Sequence, residues 1–218
     1  MQDHEPEEIT RYLTILKSVD SDEYYEKEED EIWPAVQDAV TALTRLGPAA
    51  TPALCRLLDA DFTWSCYYAL RVLHQTKDPQ AVPALIGLLR RESDDTLACE
   101  EAMFTLQDIG DAAIQPLLQE LTTQFRNEQY NSYLVGALTG IPGPIPYDFM
   151  VATVTDFLRY PPKYHGWFNI GDFIFNFTKQ QQTKAAPLLR QLLLLKGLDG
   201  PTRQEITETI EAVETATP

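Results

Sequence analysis

With 218 residues, 44% of them hydrophobic and 10% aromatic, the chain has the composition of a folded protein with a sizeable core, not of a disordered one. Seventeen basic residues stand against 33 acidic ones, for a formal net charge of −16. Such a surface repels phosphate backbones and anionic lipid, whose recognition needs clustered Lys and Arg, so no nucleic acid and no membrane is expected as a partner.

The opening MQDHEPEEITRYL has no basic stretch followed by an apolar run, and so does not read as a secretory leader. No apolar run approaches the ~18 residues that a membrane span needs. Cys55, Cys66 and Cys99 form no metal-ligand spacing and leave one thiol over in any disulfide scheme. All three fall on apolar helical faces, where Cys acts as a small hydrophobe, and a reducing cytoplasmic setting is the simplest expectation.

Residues 1–31 carry a net −9 of the total −16. Within them, EEITRYLTILKSV (7–19) spaces Ile9, Tyr12, Leu13, Leu16 and Val19 at helical intervals, with Glu7 and Glu8 suited to the first turn. This segment is expected to form a capping helix. The charge run SDEYYEKEEDE (21–31) follows, as a solvated linker or exposed helix start, and its two tyrosines keep a partner contact open.

A Leu-rich helix end, a short break and a Pro opening a second apolar helix then recur. The copies are LTRLGPAATPALCRLL (43–58), LHQTKDPQAVPALIGLL (73–89), LQDIGDAAIQPLLQEL (106–121) and FTKQQQTKAAPLLRQLL (177–193), with IPYDFMVATVTDFL (145–158) filling the long gap. First-helix markers fall at Leu43, Leu73, Leu106, Leu138 and Phe177, and second-helix prolines at Pro52, Pro83, Pro116, Pro146 and Pro187. Pro in a first turn loses no hydrogen bond, and Gly47 and Gly110 end the preceding helices. Ala39, Ala69 and Ala102 stand four residues before the first three markers, where paired helices press together. His74 takes the Gly position after its Leu and is read as a helix-ending residue.

The fourth repeat has the stiff turn TGIPGPIPYD (139–148), and the fifth is lengthened by RYPPKYHGWFNIGD (159–172). PTRQEITETIEAVE (201–214) reads as a closing helix with Ile206, Ile210 and Val213 inward and Glu205, Glu208, Glu211 and Glu214 outward. The domain plan is an acidic extension over 1–31, a repeat array over 32–200 and a C-terminal cap over 201–218. A helical-pair period of this length predicts an all-α solenoid, a class that binds more often than it catalyses.

Segment 35–121 resembles the HEAT repeat in the short form of the phycobilisome lyases and many bacterial adaptor proteins. The residues that carry this are Ala39–Leu43–Leu46–Gly47 with Pro52–Leu54–Leu57–Leu58, Ala69–Leu73 with Pro83–Leu85–Leu88–Leu89, and Ala102–Leu106–Ile109–Gly110 with Pro116–Leu117–Leu118–Leu121. The resemblance implies about five helix pairs in a right-handed superhelix, with second helices lining the concave side. One departure stands out: the family's Arg three residues before the repeated Ala is replaced by Val36, Cys66 and Cys99, an apolar seam for a polar one.

No Gly-rich phosphate loop, nucleophile elbow or Cys/His metal spacing appears, and His4, His74 and His165 are isolated in sequence. No catalytic residue, metal or cofactor is therefore assigned. On the second helices, Arg56, Arg90, Arg91 and Arg190 are candidate contacts to a carboxylate-bearing peptide, against the reading of salt-bridged surface residues. Tyr160, Tyr164 and Trp167 in the Pro-Pro loop are open between core and partner contact. Trp64, Tyr67 and Tyr68 pose the same question, with Trp64 expected to cover the preceding repeat.

The expected function is a non-catalytic protein–protein interaction module, an adaptor, scaffold or regulatory binding protein whose partner is another protein or peptide. Three finer readings stay open. One is an acidic inhibitor or immunity-type protein masking a basic partner; another is a lyase- or chaperone-like subunit acting on a chromophore-bearing or modified protein; the third is a purely structural assembly subunit.

Overall fold

Glycines punctuate the first repeats as their spacing predicts. In the computed structural model, which describes residues 6–21, 29–59, 63–91, 96–123, 128–159, 179–196, 198 and 200–215, Gly47 (φ +58°) and Gly110 (φ +76°) both take the left-handed conformation that ends a helix. The chain divides into two compact units, Met1–Pro116 and Leu117–Pro218. Every described element is helical or a turn.

In the first unit, α1 (Glu7–Ser18) has Glu7 and Glu8 in its first turn and Lys17 in its last, each matched to the helix dipole. It buries Ile9, Leu13, Leu16 and, just past its end, Val19. α2 (Glu29–Leu46) stops at Gly47, and a 3₁₀ turn (Gly47–Ala49) leads to α3 (Thr51–Leu58), with Pro52 in its first turn as predicted. α4 (Trp64–Thr76) is capped by Thr63, whose side chain accepts from the Cys66 N–H. Asp78 opens a second 3₁₀ turn (Pro79–Ala81), accepting the Gln80 N–H at 3.1 Å, before α5 (Val82–Arg91). α6 (Thr96–Ile109) ends at Gly110, and α7 (Asp111–Thr123) starts at once, with the boundary between units falling at its Pro116.

Packing follows the repeat. First helices α2, α4 and α6 lie in succession, each against the next, while second helices α3 and α5 pack side by side. α3 also packs on α4, and α5 on α6, so each second helix bridges to the following first helix. Ala39, Ala69 and Ala102 are fully buried, as are Leu43, Leu73 and Leu106. Val36, Cys66 and Cys99 are fully buried too, which makes the apolar seam a physical one. α1 packs on α2 and α4, with a smaller contact to α3.

Three local expectations are corrected. His74 does not end its helix; α4 runs on to Thr76, and Lys77 (φ 51°) takes the left-handed position, its N–H returning to the Leu73 carbonyl at 2.9 Å. Pro116 lies inside α7 instead of its first turn, because the helix begins directly after Gly110 with no intervening 3₁₀ turn. Pro187 likewise lies inside a helix, α10 (Lys179–Leu192), so no break parts 179–186 from it. The run KQQQTKAA is made largely of good helix formers, whose propensity carries the helix across the expected turn.

The second unit continues with α8 (Glu128–Gly140), α9 (Pro144–Arg159), α10 and α11 (Gly200–Thr215), each packed on the next. Val135, Met150, Val154, Ala185, Leu189, Leu192, Ile206 and Ile210 form its core. Ile206 and Ile210 point inward and Glu208, Glu211 and Glu214 are exposed, as the closing-helix pattern predicts; the side chains of Glu205 and Val213 lie outside the described residues. Buried Tyr130 donates its hydroxyl to Glu120 at 2.5 Å, tying α8 to α7. The Arg203 guanidinium caps α10, donating to the carbonyls of Leu193 (2.6 Å) and Leu195 (3.2 Å).

Candidate binding surfaces

Arg56 and Arg90 sit in the last turns of α3 and α5, on the second-helix side of the first unit. Arg91 is exposed, yet its guanidinium donates to the Leu58 carbonyl at the end of α3 and so joins two successive repeats. Arg190, in the second unit, pairs with exposed Glu214 of α11. Arg91 and Arg190 thus have intramolecular partners, and Arg56 and Arg90 hold interactions of their own. Tyr160, Tyr164 and Trp167 lie outside the described residues.

Beside Arg56, the Cys55 thiol is half-buried and its pKa is pushed up to about 11. Burial is the main cause, followed by the negative charges of Asp59 and Asp78, with Arg56 acting weakly the other way. That environment makes the thiol a poor nucleophile, the opposite of a catalytic cysteine. Cys66 and Cys99 are fully buried thiols.

His74 bridges repeats as well. Its Nδ1 lies 3.4 Å from the Thr105 hydroxyl and its Nε2 3.5 Å from Asp108 Oδ2, an oxygen that Lys77 Nζ also meets at 2.8 Å. One repeat earlier the Thr44 hydroxyl donates to Gln75 Oε1 at 3.2 Å. Polar rungs therefore link the C-terminal ends of α2, α4 and α6 on the first-helix side. Among the described residues no group of three or more His, Cys, Asp or Glu could hold a metal ion. A shallow cleft in the second unit, under the turn where Gln181 Nε2 donates to the Gly143 carbonyl at 3.2 Å, has room for about one water.

The outward row of the first helices was not legible as a surface. Aligned on their buried Ala, α2, α4 and α6 place Pro34, Trp64 and Leu97 at one register, Gln37, Tyr67 and Glu100 at the next, and Thr41, Arg71 and Phe104 a turn further on. Pro34 is exposed, Trp64 is 46% exposed, Leu97 43% and Phe104 47%. Trp64, expected to cover the preceding repeat, keeps close to half of its surface exposed, and its ring meets Tyr67 of its own helix edge-on, with centroids 5.8 Å apart. Tyr68, in turn, is core. The signal for Leu97 and Phe104 was present in their seven-residue spacing, off the Cys99–Ala102–Leu106 stripe that faces inward.

Residues 66–91 match the family described as the PBS lyase HEAT-like repeat, so the repeat there is a HEAT-like one. Among curated proteins, none matches the chain. Among solved structures, a designed armadillo repeat protein is similar at 15% identity and a TM-score of 0.39, covering 93% of this chain and 99% of its own.

Proposed function

We propose that this chain is a non-catalytic protein-binding module, an adaptor or regulatory protein of the reducing cytoplasm whose acidic surface is matched to a basic polypeptide. The observation that carries the reading is how the first unit uses its residues. Repeat-equivalent Ala and Leu are fully buried in stacking helix on helix, while large apolar side chains at equivalent outward positions are left half exposed. With a net charge of −16, electrostatic steering favours a cationic protein and disfavours nucleic acid. An inhibitor or immunity-type protein that masks a basic surface fits that charge. Arg56, Arg90, Arg91 and Arg190, with Tyr160, Tyr164 and Trp167, are proposed as further contacts.

Affinity purification of the tagged chain from its source cells at low salt tests this. A stoichiometric basic protein, released as salt rises, is the expected result; capture of no protein under any condition contradicts it. The match of residues 66–91 to a repeat named for phycobilisome lyases supports a second reading, a lyase- or chaperone-like subunit for a chromophore-bearing or modified protein. A change in visible absorbance on mixing with a free bilin would favour that reading over the first.

A further inference from the structure

We infer that the outward face of the first helices α4 and α6, from Trp64 and Leu97 to Phe104, docks a basic amphipathic helix of the partner protein. The inference rests on the protein-binding reading and assigns it a surface.

The apolar part of the face is made of Trp64, Leu97 and Phe104, all close to half exposed, with half-buried Tyr67 holding the Trp64 ring edge-on. Trp64 and Leu97 occupy the same register on helices that pack against each other. Phe104 lies two turns beyond Leu97 on α6, roughly 10 Å along the axis, a span that matches the i, i+7 spacing of apolar anchors on a docking helix. Large aromatic side chains that are already braced lose little conformational freedom on binding, which suits them to be anchors.

Charge selects the sign of the partner. Glu100 and Glu101 lie on α6 between the Leu97 and Phe104 positions, and Glu100 is exposed. The cations of this side stand mainly at the other end: Arg45 in the last turn of α2, and Lys77 after α4, already paired with Asp108. Arg71, half-buried at the Phe104 register, is the one cation among the described residues of α4 and α6 that lies between. An apolar patch set among carboxylates accepts a helix with an apolar stripe and flanking Lys or Arg, and repels an acidic one.

Fluorescence anisotropy with a labelled Lys/Leu helix of about 18 residues tests the inference, against its scrambled isomer and a Glu/Leu counterpart. Binding of the amphipathic basic peptide is expected to be at least about tenfold tighter than either control, and Trp64→Ser with Phe104→Ser to weaken it about tenfold or more while far-ultraviolet circular dichroism stays unchanged. Arg56→Ala with Arg90→Ala, which removes the further contacts proposed on the second helices, is expected to weaken binding less than the Trp64/Phe104 pair does. Equal binding of the scrambled peptide, no peptide binding at all, or no loss in the Trp64/Phe104 double variant overturns the inference. Loss only in the Arg56/Arg90 variant moves the site to the second helices and leaves the protein-binding reading standing. Sedimentation showing a dimer that the Trp64/Phe104 variant abolishes assigns the face to a second copy of the chain instead.

Discussion

The Arg91 guanidinium donates to the main-chain carbonyl of Leu58, one repeat earlier, at the C-terminal end of α3. A cation there satisfies an orphan carbonyl and complements the negative end of the helix dipole. Arg91 therefore acts first as a joint between repeats. Arg91→Ala is expected to lower unfolding free energy by about 1 kcal/mol, read as a shift in urea midpoint. An unchanged midpoint would instead release this side chain for a partner.

Asp20 fastens α1 to the array. Its Oδ1 accepts the Ser65 N–H at 3.0 Å, capping α4 from a segment 45 residues away. Asp20→Ala is expected to cost about 1 kcal/mol, and Asp20→Asn, which keeps the acceptor, less than half of that. Equal losses in the two variants would show that the hydrogen bond is not what fastens α1.

Two glycines should respond with opposite sign. Gly110 has φ +76° and a Cβ there would touch nothing within 4 Å, so Gly110→Ala costs backbone strain alone, about 1 kcal/mol. Gly87 lies inside α5, where an added Cβ meets only Arg91 Nη1 at an ordinary 3.7 Å. Gly87→Ala is expected to stabilise by about 0.5–1 kcal/mol. Thermal melts of both variants check the pair.

Cys55 gives the pH prediction. Its thiol holds its proton up to about pH 11 in the fold, against an ordinary value of 9.0. The unfolded chain ionises first, so this group's contribution to stability is complete below about pH 9 and is lost as pH climbs through about 11. Alkylation by iodoacetamide, which needs the thiolate, should rise steeply across that window, and Asp59→Asn should bring the rise to lower pH. A rate already at its plateau at pH 9 would contradict the buried, acid-flanked setting.

The repeat was legible because its markers are backbone events with few solutions. Gly47 and Gly110 sit where a left-handed residue is needed, and Pro52 sits where a missing N–H does no harm. Where chemistry permits several answers, the sequence misled. Lys77 takes the left-handed position that His74 was expected to occupy, since α4 extends one more turn before the Asp78 cap. Pro116 and Pro187 are carried inside helices whose neighbours favour helix strongly enough to absorb one lost hydrogen bond. The surface was least legible. Leu97 and Phe104 look like core by residue type, and only the direction of the buried Cys99–Ala102–Leu106 stripe shows that they face outward.

In the proposed function this acidic chain meets a basic protein through the flank of its stacked helices. The association rate with the partner captured at low salt, measured from about 50 to 500 mM KCl, tests it most directly. A fall of about tenfold or more for the parent chain, with dissociation hastened by Trp64→Ser and Phe104→Ser, is the predicted result. A rate indifferent to salt, together with dissociation unaltered by those two substitutions, would contradict it.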